Sequence, residues 1–226
     1  MDEIMSHSFT RYMEEGDDSI VAFLFRLSPP GWYVDVGCNH PIHENPTFML
    51  SQKGWKGISV DPHSELSEKW AALRPSDSFF CEAVSGRGGI VNYSIYEDTR
   101  LSSIDIEAKQ RAREDNQKII KNVEMTSLTI NKVCQLVPDG HKVNFLSINC
   151  RGADLEIISA LDFKVYEPDV IRIEMFYFSF DRPHLHPVYQ LLRGKGYVLI
   201  VKTFRVSFWV KPNSQAARWI PKVMMD

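Results

Sequence analysis

Tyr33-Val34-Asp35-Val36-Gly37-Cys38-Asn39-His40-Pro41 and, one helix further on, Ile58-Ser59-Val60-Asp61-Pro62 are the two stretches that decide how this chain folds. Trp32 to Val36 and Gly57 to Val60 are short apolar runs of the length and composition of buried strands. Each run stops on turn chemistry, Gly37 in one case and Asp61-Pro62 in the other. In an open parallel sheet, ligands bind beyond the carboxyl ends of the strands, where the strand order reverses, so residues just after a strand carry the chemistry. Gly37 allows a close backbone approach that a side chain would block. An acid at the end of the second strand, here Asp61, can accept hydrogen bonds from two ribose hydroxyls. Its alternative is a turn residue ahead of proline.

Outward from these stretches the same alternation continues. Asp17-Asp18-Ser19 starts a helix, with acids where the helix dipole favours them, and Ser28-Pro29-Pro30-Gly31 stops it. Further helices are expected over 48–53, 64–73, 128–137, 154–161 and 187–195. Strands are expected over 78–84, 90–96, 123–125, 143–148 and 170–176, with a closing hairpin of 197–202 and 206–210. Alternating strands and helices predict an α/β sheet with helices on both faces. The hairpin predicts an antiparallel edge on an otherwise parallel sheet. Residues 1–226 read as one domain, with an N-terminal helical segment over 1–31. Residues 97–122 are charged in both signs and poor in large apolar residues. They read as a solvated loop or surface helix, or as a lid over a substrate.

Composition excludes several classes. Of 226 residues, 44% are hydrophobic and 24% charged, which suits a globular chain and not a disordered or fibrous one. A net charge of -3 argues against holding nucleic acid by bulk electrostatics, although a local basic groove is compatible with it. Cys38, Cys81, Cys134 and Cys150 are widely spaced and form no C-x-x-C pair, so four free thiols in a reducing compartment are expected. Met1 to Glu15 lacks the pattern of a signal peptide. The apolar stretch Ile20 to Leu27 is far short of the ~20 residues that span a bilayer. The expectation is a cytoplasmic protein with no membrane segment.

Neither G-x-G-x-x-G nor G-x-x-x-x-G-K-[ST] occurs in the chain. A nucleoside ligand without phosphates therefore fits the strand ends better than NAD or ATP, which points to S-adenosyl-L-methionine. Three stretches together strengthen this reading. They are Tyr33 to Pro41; Thr47-Phe48 with Gly54-Trp55-Lys56-Gly57-Ile58 and Val60-Asp61-Pro62; and Val143-Asn144-Phe145-Leu146-Ser147-Ile148-Asn149-Cys150-Arg151-Gly152-Ala153-Asp154-Leu155-Glu156. With Pro168 to Glu174 and Gly196-Tyr197, they resemble the FkbM-like family of S-adenosylmethionine-dependent methyltransferases, over nearly the whole chain. The resemblance implies a Rossmann-like, seven-stranded class I methyltransferase sheet with the methyl donor over the first two strand ends. It implies that Asp35, Gly37 and Asn39, with Cys38 between them, hold the methionine part. It likewise implies that Asp61-Pro62 meets the ribose and that Glu82-Ala83-Val84 lies beside the adenine. Asp35 as a turn cap and Glu82 as a surface acid are the plain alternatives.

The chain departs from that family in its fourth-strand motif. Where the family has I-D-x-E-G, this chain has Ile148-Asn149-Cys150-Arg151-Gly152. Asn149 can accept a hydrogen bond from the donor's ammonium but cannot act as a charged base. Arg151 reverses the local charge, which could favour an anionic acceptor, or it could point to solvent. Methyl transfer is an in-line displacement governed by positioning, yet a hydroxyl acceptor benefits from a base. The candidates are His40, His43 and Glu174. Catalytic roles are thus expected at Asn149, Glu174 and His40, and acceptor contacts at Arg151, His43 and His184. His184-x-His186 and His40-x-x-His43-Glu44 close no ligand set, so no metal site is expected.

The expected activity is O-methylation of a hydroxyl on a glycan, natural product or small metabolite. The alternatives are an RNA 2′-O-methyltransferase, with Arg100, Arg111, Arg113, Lys118 and Arg151 as a basic groove, or a catalytically degenerate donor-binding module. Ser147, where the family often has lysine, counts against RNA. The sequence leaves the acceptor and the oligomeric state open.

Overall fold

A computed structural model describes residues 12–220. The expectation about Met1 to Glu15 falls largely on residues 1–11, which lie outside the described residues. Helix α1 (Asp17–Leu24) begins after Gly16, and both first-turn acids are buried. Strand β1 (Trp32–Val36), helix α2 (Phe48–Ser51) and strand β2 (Lys56–Val60) follow, then α3 (Ser67–Leu73) and β3 (Ser78–Phe80). After a break come β4 (Ala83–Val84), β5 (Gly89–Tyr96), α4 (Ile106–Glu114) and β6 (Ile119–Leu128). The chain continues through α5 (Ile130–Cys134), β7 (Val143–Ile148), α6 (Asp154–Ser159), β8 (Val170–Glu174) and α7 (Pro187–Gly194). It closes with the hairpin β9 (Val198–Lys202) and β10 (Val206–Val210).

Seven strands form one sheet in the order β3-β2-β1-β7-β8-β10-β9. Pairing is parallel from β3 through to β8, and β10 runs antiparallel to both of its neighbours. Side chains alternate across a strand, so each buried strand supplies two cores. Val34, Val36, Leu146 and Ile148 pack on one side with Ile130 of α5, Ile157 of α6 and Leu192 of α7. Tyr33, Phe145 and Phe208 pack on the other with Val21 and Leu24 of α1. This two-sided burial explains why β7 reads as a near-continuous apolar run. Val36 pairs with Val60 on one flank and Ile148 on the other. The strand order therefore reverses at β1 and opens a crevice at its carboxyl end.

Two expectations need correction. Residues 78–84 are not one strand: β3 joins the main sheet, whereas β4 joins a second sheet of order β4-β6-β5. Residues 119–122 belong not to a loop or lid but to the ten-residue β6, which pairs antiparallel with β5 along most of its length. In β6 Lys121, Asn122, Glu124 and Thr126 are exposed while Val123 and Met125 are partly covered. A strand wet on one face carries enough charge to look like a loop. The charged segment does contain the expected surface helix, α4, whose Asp105 cap accepts the Ala108 amide at 2.7 Å.

Candidate active site

One cavity opens at the carboxyl ends of β1, β2, β7 and β8, with about 1110 Å³ of empty space, the open mouth included. On one side lie Gly37, Asn39, Asp61, Pro62, His63 and the segment Glu82–Val84. Gly37 has φ +72°, and a Cβ there would collide with the Asn149 carbonyl, so β1 turns tightly against the end of β7. Its amide and that of Cys38 donate to the Val60 carbonyl. The chain then enters the left-handed region at Asn39, whose amide donates to Asp61 Oδ2 at 2.9 Å. Trp70 of α3 donates from Nε1 to the Asn39 carbonyl. Asp61 Oδ1 accepts from the His63 amide at 3.1 Å and faces His63 Nδ1 at 2.7 Å. Burial alone would lower the His63 pKa, but the hydrogen bond and charge of Asp61 outweigh it and the net direction is upward.

Asp35 lies beneath this loop rather than on the cavity wall. It is fully buried, and its Oδ2 accepts from Asn45 Nδ2 at 3.3 Å and Thr47 Oγ1 at 3.4 Å. Burial pushes its pKa up to about 6, against hydrogen bonding from Ser147 and the charges of Arg172 and Arg74. Arg74 ties the same loop to Pro41 and Thr47 and forms a buried ion pair with Asp77 at 2.7 Å. Asp35 thus supports the loop that carries Asn39.

The opposite wall is built from charged pairs. Arg172 of β8 reaches Asp17 of α1 through Nε at 2.8 Å and Nη2 at 2.6 Å, with both side chains buried. Arg205, in the β9–β10 turn, holds Glu15 at 2.7 Å. Arg151, at φ +48°, lies 3.7 Å from Glu174 at the end of β8 and about 6.0 Å from the Phe176 ring centre. Arg100 binds Asp98 through two nitrogens. Burial raises the Glu174 pKa, and Arg151 and Arg172 pull it back only in part. Behind it, Asp154 accepts the Cys150 and Gly152 amides, and burial together with the Glu174 charge raises its pKa. Residues 99, 100 and 102–104 also line the cavity, whereas none of 106–122 does.

Of the residues singled out from the sequence, Gly37, Asn39, Asp61, Pro62, Glu82 and Ala83 share this cavity with Asn149, Arg151 and Glu174. Asp35, Cys38, His40, His43 and His184 do not line it. His40 organises a turn, since its Nδ1 accepts from the Ile42 and His43 amides at 3.1 Å. His184 is exposed in the short turn ahead of α7, where His186 caps the helix. The sequence reading missed Glu15, Asp17, His63, Tyr93, Arg172 and Arg205. His63 was within reach, two residues beyond Asp61; the others come together only through the fold. All four cysteines are free. Among the described residues no helix is long and apolar enough to cross a membrane.

A doubly wound sheet with its one reversed strand next to the edge, and a polar cavity at the switch point, defines a methyltransferase of Rossmann-like fold. The chain belongs to the family of the methyltransferase FkbM domain, whose model matches residues 35–199. No curated protein matches it.

Proposed function

We propose that this protein transfers a methyl group from S-adenosyl-L-methionine to an uncharged hydroxyl acceptor. The observation that carries the reading is that one cavity joins the Gly37, Asn39 and Asp61 loops to Glu174, a buried carboxylate with a raised pKa. The donor supplies an electrophilic methyl on a sulfonium cation, and the carboxylates of Asp61, Glu82 and Glu174 give the cavity the matching charge. Asp61 has one lone-pair site left over from its protein partners to receive a ribose hydroxyl. Asn149 offers an amide oxygen to the donor's ammonium. Glu174 would take the acceptor's proton, and its raised pKa makes it a stronger base than an ordinary carboxylate.

Pairing of the wall arginines supports an uncharged acceptor. Arg100, Arg151, Arg172 and Arg205 each face a carboxylate, so Arg151 leaves less free positive charge than its sequence position suggested. The same pairing weakens the RNA reading.

Titration calorimetry with S-adenosylhomocysteine tests the donor. Tight binding is expected, and Asp61→Ala should weaken it about 100-fold, on the order of 3 kcal/mol for hydrogen bonds to a charged group. No binding by the intact protein overturns the proposal. A labelled-methyl screen over sugars, small metabolites and RNA then identifies the acceptor.

A further inference from the structure

Asp61 is short of acceptor capacity for the task the donor reading gives it. A carboxylate offers about four lone-pair sites. Three are taken here, by the Asn39 amide, the His63 amide and His63 Nδ1. One remains, and a ribose presents two hydroxyl donors. Beside it, His63 is buried on the same cavity wall, and among the described residues its Nε2 is one of the few buried side-chain atoms without a hydrogen-bond partner. Buried polar atoms are normally satisfied, and an orphan on a cavity wall calls for a partner from the ligand. In the neutral ring the bond between Nδ1 and Asp61 fixes the tautomer that leaves Nε2 as an acceptor. The Tyr93 ring, edge-on at 5.6 Å, holds the imidazole in place.

We infer that His63 is a donor-binding residue: Asp61 accepts one ribose hydroxyl and His63 Nε2 pairs with the other. A hydroxyl serves either charge state of the ring, donating to the bare nitrogen or accepting from its N–H. The inference rests on the donor reading above and adds a residue to it.

Calorimetry with S-adenosylhomocysteine and its 2′-deoxy and 3′-deoxy analogues tests it. In His63→Asn the amide can keep the Asp61 bond but has nothing at the Nε2 position. That variant should bind S-adenosylhomocysteine about ten-fold more weakly, a change of ~1.4 kcal/mol. His63→Gln, whose amide reaches further, should lose less. One deoxy analogue should bind the intact protein about ten-fold more weakly than the parent compound, yet match it in His63→Asn. Undiminished binding by His63→Asn overturns the inference while leaving the donor reading standing. Analogue penalties that are the same in both proteins also overturn it, because His63 would then act only through Asp61. No binding by the intact protein overturns the donor reading and this grip with it.

Discussion

The two walls of the cavity are built differently. The donor-side wall comes from consecutive strand-end loops, and its main bonds join residues 2, 22 and 31 positions apart. The opposite wall comes from the ends of the chain folded onto β7 and β8: Asp17 meets Arg172 across 155 positions and Glu15 meets Arg205 across 190. Asp17, Glu15 and Arg205 also fall outside the residues matched to the family. The first wall is one that a shared fold carries along with its motifs. The second draws part of its charge from segments on either side of the matched residues, and acceptor choice can vary there without disturbing the donor site.

Substitutions can break that comparison or sharpen it. The largest effect is expected at Gly37, where alanine meets both a left-handed backbone and the Asn149 carbonyl. Gly37→Ala should abolish measurable S-adenosylhomocysteine binding in calorimetry. Gly140→Ala, at φ +82° with open space around it, should cost only ~1–2 kcal/mol of stability and leave binding intact. Equal behaviour of the two would remove the case for a preformed donor loop.

Glu174→Gln comes next and tests the other wall. Labelled-methyl transfer to the acceptor found in the screen should fall about 10²- to 10⁴-fold, with donor affinity nearly unchanged. In the intact protein the rate should climb with pH through a Glu174 pKa raised above the ordinary 4.5, because only the ionised carboxylate accepts the proton. A variant of near-normal rate excludes Glu174 as the base.

Asp35 should act on stability more than on binding. Its pKa rises from 3.8 to about 6 on folding, so the native state holds the proton more tightly than the unfolded chain. Stability from this group therefore falls as pH rises from about 4 to 6, by up to ~3 kcal/mol. Urea unfolding of Asp35→Asn should lack that part of the pH dependence. An unchanged profile would show that the carboxyl titrates normally. The smallest effect is expected at Arg205, whose pair with Glu15 is partly exposed. Arg205→Ala should shift stability by less than about 1 kcal/mol and leave donor affinity unaltered. A large loss of donor affinity would tie the two walls together.

Much of this contrast follows from what short stretches of sequence can express. Val34 to Gly37 and Gly57 to Asp61 announce strand, turn and acid within a few residues, because burial and backbone geometry act locally there. Asp35 was legible as important but misplaced: position at a strand end does not tell whether a side chain meets the cavity or the layer below it. His63 stands two residues beyond Asp61, but its unpaired Nε2 on the cavity wall is a property of the folded chain alone. The second sheet was hidden for a different reason, since β6 carries its charge on a wet face and the pattern of a covered strand is missing.

By itself, then, the sequence determined the alternation of strands and helices and the chemistry of the first two strand ends, both set by local periodicity and turn geometry, whereas the reversal at β1 came from how the strands pair. Tertiary structure decided which arginine meets which carboxylate, and with that whether Arg151 is a free cation or a partner of Glu174. Charge pairing depends on distance and burial in the folded chain, and neither is encoded by how far apart two residues stand in the sequence.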